Sequence, residues 1–209
     1  TLIDTKDYFE FTPSVLRTIV EPEHIKKIQV LHKDYLNNAV VVKGNANEIN
    51  KKYVTVSKNK FPYAYLVVCS GSEYNLPMKD KSAVTAARAD VLAKYSKKLK
   101  ESKSVLIIGG GLVGVELAAE IIEKYPNKKI TIVHNNDQLI ERNPKKARNY
   151  AYKFLNRRNV SVILNELFLG IAGKNLYKTD KGNKIKADLA FLCTGIKPNS
   201  LCEGQSLTY

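Results

Sequence analysis

Apolar residues along the chain fall into short runs cut by polar turns, the pattern of an α/β protein in which strands alternate with helices. Thr1-Leu2-Ile3 opens as a strand and runs straight into Asp4. A polar turn and an amphipathic stretch follow over residues 5–20. Residues 26–31 and 39–43 read as short strands, the second around Ala39-Val40-Val41-Val42. Residues 52–57 alternate apolar and polar, and Lys58-Asn59-Lys60 makes the next turn. The run YAYLVVC at 63–69 predicts a buried strand ending in Ser70-Gly71. Residues 82–101 contain neither Pro nor Gly and predict a helix leading to the second half of the chain.

The densest signal lies at 104–133, SVLIIGGGLVGVELAAEIIEKYPNKKITIV. Val105 to Ile108 is apolar throughout, as a central parallel strand requires. Gly109, Gly111 and Gly114 then spell GxGxxG. Val113, Leu117 and Ile121 share one face of the helix that follows, and Pro126 stands just past its end. A second strand runs from Lys129 to Val133. Strand, glycine turn, helix and strand in about thirty residues form the setting of a dinucleotide-binding unit. Gly109 permits the tight turn, Gly111 leaves room for a pyrophosphate, and Gly114 lets the helix approach the strand. The free N–H groups and positive dipole end of that helix then face the phosphates.

One position departs from the pattern of NAD-preferring units, whose second strand ends in Asp or Glu. Here it runs into His134-Asn135-Asn136, and no carboxylate arrives before Asp137. His134 suits a neutral hydrogen bond to the adenosine ribose, or, with Arg142, a 2′-phosphate. NADH and NADPH both stay open.

Composition changes the picture little. The net charge of +14 comes from 34 Lys and Arg against 20 Asp and Glu. It has two readings: a surface for nucleic acid or anionic lipid, or a general lysine bias, since the lysines are spread along the chain. The one local cluster is Lys97, Lys98, Lys100 and Lys103, at an expected helix end where cations favour the dipole. Cys69, Cys193 and Cys202 form neither CxxC nor a disulfide framework; the set suits a reducing compartment, and no metal site is expected. No apolar run reaches the roughly 18 residues a membrane-spanning helix needs. The chain begins with Thr1 rather than Met, which implies a fragment or a processed product.

The strand ends VVCSG at 67–71 and FLCTG at 191–195 echo each other, as two related modules would. Together with LIDTKDYFEFTPSVLR, AVVV, YLVVCSGS, IIGGGLVGVELAAEI, ITIVH and LAFLCTGIKPNS, they make the chain resemble the pyridine-nucleotide-dependent flavoprotein oxidoreductases. Within them it is most similar to the apoptosis-inducing-factor-like branch that includes ferroptosis-suppressor quinone reductases. The resemblance implies two Rossmann-like three-layer modules: a partial FAD-binding one over 1–98, and an NAD(P)-binding one over 99–209. The family's first FAD strand, with its own GxGxxG, would precede Thr1, and a second acidic FAD motif would follow the CTG strand.

The resemblance also implies roles. Asp4 would accept hydrogen bonds from the FAD ribose, Arg17 would face the FAD pyrophosphate, and the Val41 backbone would read the adenine. Ser70 and Gly71 would lie near the flavin, where Ser70 stands for the family's Thr. Glu116 would orient the nicotinamide as the catalytic carboxylate, and Thr194 and Gly195 would pass close to the nicotinamide cofactor. The implied activity is an FAD-dependent NAD(P)H oxidoreductase that passes electrons to a quinone-type acceptor without a redox disulfide, since the chain has no CxxxxC. The implied location is the cytoplasm, with attachment to a membrane or mitochondrion as in relatives. Two alternatives remain: a non-enzymatic basic protein that binds nucleotide and DNA, and a dehydrogenase built on one Rossmann unit. The flavin-like segments in 1–71 argue against the second.

Overall fold

A computed structural model describes residues 1–74 and 85–199. The first half is built from short elements. In chain order they are β1 (Leu2–Asp4), β2 (Tyr8–Glu10), α1 (Val15–Val20), α2 (Ile25–Ile28), β3 (Gln29–Leu31) and α3 (His32–Tyr35), then β4 (Val41–Lys43), β5 (Ala46–Ile49), β6 (Tyr53–Val56), β7 (Asn59–Pro62) and β8 (Ser72–Glu73). Strands β1 and β4 pair in parallel, with Leu2 opposite Val41 and Asp4 opposite Lys43. Strands β2 and β3 pair antiparallel, and β5, β6 and β7 form an antiparallel meander. The β6–β7 turn centres on Ser57, whose φ of 56° is left-handed.

The long helix α4 (Thr85–Glu101) leads into the second half. There follow β9 (Ser104–Ile108), α5 (Leu112–Lys124), β10 (Lys129–Val133), α6 (Lys145–Asn156) and β11 (Ser161–Ile163), then β12 (Phe168–Gly173), β13 (Leu176–Thr179), β14 (Lys184–Lys186), β15 (Leu189–Leu192) and β16 (Lys197–Pro198). Strands β11, β10, β9 and β15 lie side by side in that order, all parallel. The order reverses at β9, so the crevice beyond its C-terminal end is the topological switch point where open α/β sheets bind ligands.

Both faces of this sheet are covered, which explains why β9 is apolar at every position after Ser104. Val105 and Ile107 face Leu117, Ala118 and Ile121 of α5, Leu155 of α6 and Leu99 of α4. Leu106 and Ile108 face the other way, toward Phe168, Tyr177 and Ile185 of the antiparallel sheet β12–β13–β14. Leu16, Ile19 and Val20 of α1 join the helix-side core, so the first half of the chain packs directly on α5. Arg88 of α4 is fully buried, and its guanidinium donates to both carboxylate oxygens of Glu10, at 3.0 and 3.2 Å.

The structure corrects three sequence readings. Of the strand expected at 26–31, only 29–31 is strand; residues 26–28 belong to the helix Ile25–Ile28, because Ile25 and Ile28, one turn apart, both bury against Val15 and Leu92. The strand expected at 39–43 begins only at Val41. The run 63–69 is neither a strand nor buried: Tyr65 is 94% exposed and Val67 81%. An apolar run becomes a buried strand only when a neighbour pairs its backbone, and no strand among the described residues does so. The helix expected from residue 82 begins at Thr85 in the described part, residues 82–84 lying outside it. No helix among the described residues is long and apolar enough to cross a membrane.

Candidate dinucleotide-binding site

The glycine turn follows β9 at the sheet's switch point. Gly109 adopts a φ of 110°, a conformation in which L side chains are strained. A Cβ there would also lie 2.8 Å from the carbonyl carbon of Cys193, so the turn and the strand next door fit together only without a side chain. Gly109 still donates its N–H to the Val133 carbonyl at 2.8 Å, which keeps the loop in register with β10. At Gly114 a Cβ would penetrate the Gly109 carbonyl oxygen and sit 3.2 Å from Ile107 Cγ2. The helix can rest on the strand because that position is bare. Gly111 differs: its φ of −72° is ordinary, and a Cβ would meet nothing within 4 Å. The space over Gly111 is open and faces the start of α5. No side chain caps this helix and no acidic residue occupies its first turn, so its first amides and its dipole are available to an anion.

His134 follows β10 directly and is 93% buried by side-chain exposure of 7%. Its backbone is paired, donating to the Ile163 carbonyl and accepting from the Glu166 N–H. Neither ring nitrogen has a hydrogen-bond partner. The Glu141 carboxylate stands 3.4 Å from Nε2, an ion-pair distance rather than a well-aligned hydrogen bond. A backbone amide at Glu141 holds that carboxyl below the usual carboxylate range; desolvation opposes it, and His134 and then Arg142 add to the lowering. Ile140 brings Glu141 there. It is a buried β-branched residue at φ 44°, and its N–H donates to the Gly110 carbonyl at 2.8 Å.

Glu116 projects from α5 one turn before Glu120. Partial burial first, and Glu120 second, raise its carboxyl above the usual range, although the residue keeps substantial contact with solvent. Cys193, Thr194 and Gly195 follow β15 beside the glycine turn, with Gly195 at φ 59°. The echoing Gly71 adopts φ 70°, so the two similar sequences make the same left-handed turn. The structure joins them. Ser70 Oγ donates to the Asn199 carbonyl, Asn199 donates its side-chain amide to the Ser70 carbonyl at 3.0 Å, and β8 pairs with β16. Sequence reasoning missed Asn199, whose only signal was its place shortly after the CTG turn.

The residues assigned to FAD are more scattered. Asp4 closes β1; its Oδ1 accepts the Lys6 N–H at 2.9 Å and its Oδ2 lies 3.3 Å from Nε2 of the buried His32. Val41 is half-buried and lines a cleft of about 240 Å³ with Asp7, Leu31, His32, Lys33 and Lys43. Asp7 Oδ1 is buried there without a hydrogen-bond partner, so the cleft has polar capacity left for a ligand such as an adenosine moiety. Arg17 sits on α1, half-exposed, with its Nε 3.1 Å from Glu21 Oε2. The carboxyl of Glu21, and at longer range Glu120, are the charges it faces. Its guanidinium is therefore committed locally rather than to the cleft. Cys193 is buried, which pushes its thiol up to about 12, and Cys69 is exposed; both are free, and Cys202 lies outside the described residues.

Comparison with known proteins agrees with this geometry. The family model of pyridine nucleotide-disulphide oxidoreductases matches residues 4–209. Apoptosis-inducing factor homolog B of Dictyostelium discoideum is 34% identical over 231 residues, covering 96% of this chain and 58% of that protein. Ferroptosis suppressor protein 1 of Homo sapiens is 29% identical, covering 95% of this chain and 57% of that protein. The chain thus spans a little over half the length of these relatives. Among solved structures, a ferredoxin reductase from Rhodopseudomonas palustris superposes with a TM-score of 0.77 at 14% identity, over 94% of this chain and 52% of that one. NDH2 from Plasmodium falciparum, solved with NADH, gives 0.72 at 18% identity, over 93% and 50%. With a parallel sheet, a glycine turn at its switch point and a family match running almost end to end, this chain belongs to the pyridine nucleotide-disulphide oxidoreductase family.

Proposed function

We propose that the chain forms the central part of an FAD-dependent NAD(P)H oxidoreductase, with the nicotinamide module over 99–209 and part of the flavin module over 1–98. Members of the family bind FAD and NAD(P)H, and the glycine turn carries the reading for this chain. Three positions there are kept bare for different reasons, and only Gly111 is bare toward open space. Bound together, the nicotinamide and flavin supply hydride transfer.

The chain's own residues supply placement. The first amides of α5 hold the pyrophosphate, helped by the positive end of the helix. Glu116, its carboxyl raised, orients the nicotinamide as a hydrogen-bond partner. Thr194 and Gly195 present backbone at the mouth of the crevice. Val41 lines the cleft that takes the FAD adenosine, Asp4 stands against its His32 wall, and Ser70 and Gly71 lie toward the flavin. Arg17 faces the FAD pyrophosphate only after leaving Glu21. The acceptor is a quinone-type molecule, as the family resemblance implies. Cys193 is unsuited to relay electrons, because its thiol stays protonated across the physiological range. The whole protein acts in the cytoplasm or at a membrane or mitochondrial surface, in keeping with its resemblance to ferroptosis suppressors.

The test is Gly111→Val with NADH titrated by fluorescence. The added side chain enters the pyrophosphate space, and its Cβ meets no protein atom within 4 Å, so the variant folds, as its thermal melt checks. It loses NADH affinity by about a hundredfold or more, the scale of displacing a charged group from its donors. Unchanged affinity overturns the reading.

A further inference from the structure

Which nicotinamide dinucleotide the site takes is decided where the adenosine 2′-oxygen lies, at the C-terminal end of the second strand. NADPH carries a phosphate there and NADH a hydroxyl. Strand β10 ends at Val133, and the next residue is neither Asp nor Glu. The structure nevertheless puts a carboxylate at this place from seven residues further on.

Four observations build the arrangement. The His134 ring tucks beneath the glycine turn, its Cγ and Cδ2 at 2.9 and 3.0 Å from where a Cβ of Gly110 would sit. Gly110, an unspecified position of GxGxxG, is thus bare to admit His134. The ring is more than nine-tenths buried, yet both its nitrogens lack hydrogen-bond partners, a costly state that a ligand can relieve. Glu141 stands 3.4 Å from Nε2 and keeps 37% of its side chain open to solvent, so it touches the histidine and stays accessible to a ligand. The segment carrying it is clamped: Ile140 donates to the Gly110 carbonyl, and Arg148 donates to the carbonyls of Glu141 at 3.2 Å and Asn143 at 3.0 Å. Both bonds come from Nη1 of Arg148, whose Nε is buried without a hydrogen-bond partner. The remaining charged groups of the segment are Asp137, Glu141, Arg142, Lys145 and Lys146. Among them, Glu141 is the one in contact with His134, with Arg142 acting on its carboxyl from beside it.

We infer that Glu141, positioned by His134, accepts the adenosine 2′-hydroxyl and makes this chain select NADH over NADPH. A carboxylate held ionised there accepts a hydroxyl well. It meets a 2′-phosphate with like charge, and rejection by repulsion is a common source of specificity. Acceptance of the hydroxyl by a charged carboxylate and repulsion of the phosphate together imply at least about a tenfold preference. The inference rests on the proposed dinucleotide role of the glycine turn.

Titration of the chain with NADH and with NADPH, followed by nucleotide fluorescence, separates the two readings. The wild type binds NADH about tenfold more tightly or better. Glu141→Gln keeps the shape, removes the charge and narrows the ratio; Glu141→Arg reverses it; His134→Ala frees Glu141 and also narrows it. Thermal melts of each variant confirm folding. Equal binding of NADH and NADPH by the wild type, or a ratio unmoved in both Glu141 variants, overturns the selectivity while leaving the dinucleotide reading intact. Binding of neither nucleotide overturns the dinucleotide reading, and the selectivity with it.

Discussion

Gly114→Ala gives the sharpest test of how this fold holds its glycine turn. Taken alone, alanine in a helix is favoured over glycine by about 1 kcal/mol. Opposing this, the new Cβ would overlap the Gly109 carbonyl oxygen, with the carbonyl carbon at 3.1 Å and Ile107 Cγ2 at 3.2 Å. The obstacle is backbone and cannot rotate aside. Helix α5 must therefore lift from β9, at a place where Leu117, Ala118, Ile121 and Ile107 are essentially fully buried. Overpacking of this kind costs about 3 kcal/mol, the upper part of the usual range, because no side chain can absorb it. The net loss is about 2 kcal/mol, which lowers Tm by roughly 4–8 °C for a chain of this size. Circular dichroism melts measure it. The contrast is Gly111→Ala, where the Cβ meets open space; only helix-cap preference is lost, under about 1 kcal/mol. If Gly114→Ala melts at or above the wild type, the close approach of strand and helix is not what the bare position secures.

Two further outcomes follow from buried and paired charge. Glu10→Ala removes a bidentate carboxylate from the fully buried Arg88 and destabilises the protein by about 2–3 kcal/mol, seen as a fall in Tm of several degrees; Glu10→Gln, which keeps an acceptor, loses less, and an unchanged Tm in Glu10→Ala would argue against the pair's contribution. Asp188 Oδ2 accepts three hydrogen bonds of 2.9 Å, from the Lys103 and Ser104 amides and the Ser104 hydroxyl. The Lys103 amide first, then Ser104, lower its carboxyl below the usual range. A lowered native pKa adds stability that is present above the unfolded value and is lost as pH falls through the native one. Asp188→Asn therefore lowers Tm at neutral pH, and the gap to wild type closes in strong acid; a gap independent of pH would refute the linkage.

What the sequence determined by itself was the local physics. The unit at 104–133 was legible because its signals are short-range: an apolar run, three glycines, one helical face and a second strand within a single crossover. The positive φ of Gly109 and the close approach at Gly114 follow from that order alone. The echo of VVCSG and FLCTG likewise reappears as two left-handed turns at Gly71 and Gly195. Only the tertiary structure decided what depends on distant neighbours. The run 63–69 has strand composition, but composition cannot supply a pairing partner, and past the half-buried Tyr63 its side chains stay exposed. Arg88 meets Glu10, 78 positions away, in the core, a pairing that no local signal announces. Asn199 meets Ser70 across 129 positions. Glu141 reaches His134 because a left-handed Ile140 turns the chain back under the glycine loop, a bend that β-branched isoleucine gives no local reason to expect. Period and turn chemistry act over a few bonds and are written in order along the chain. Burial, pairing and charge complementarity act across space, and the fold alone sets which residues share it.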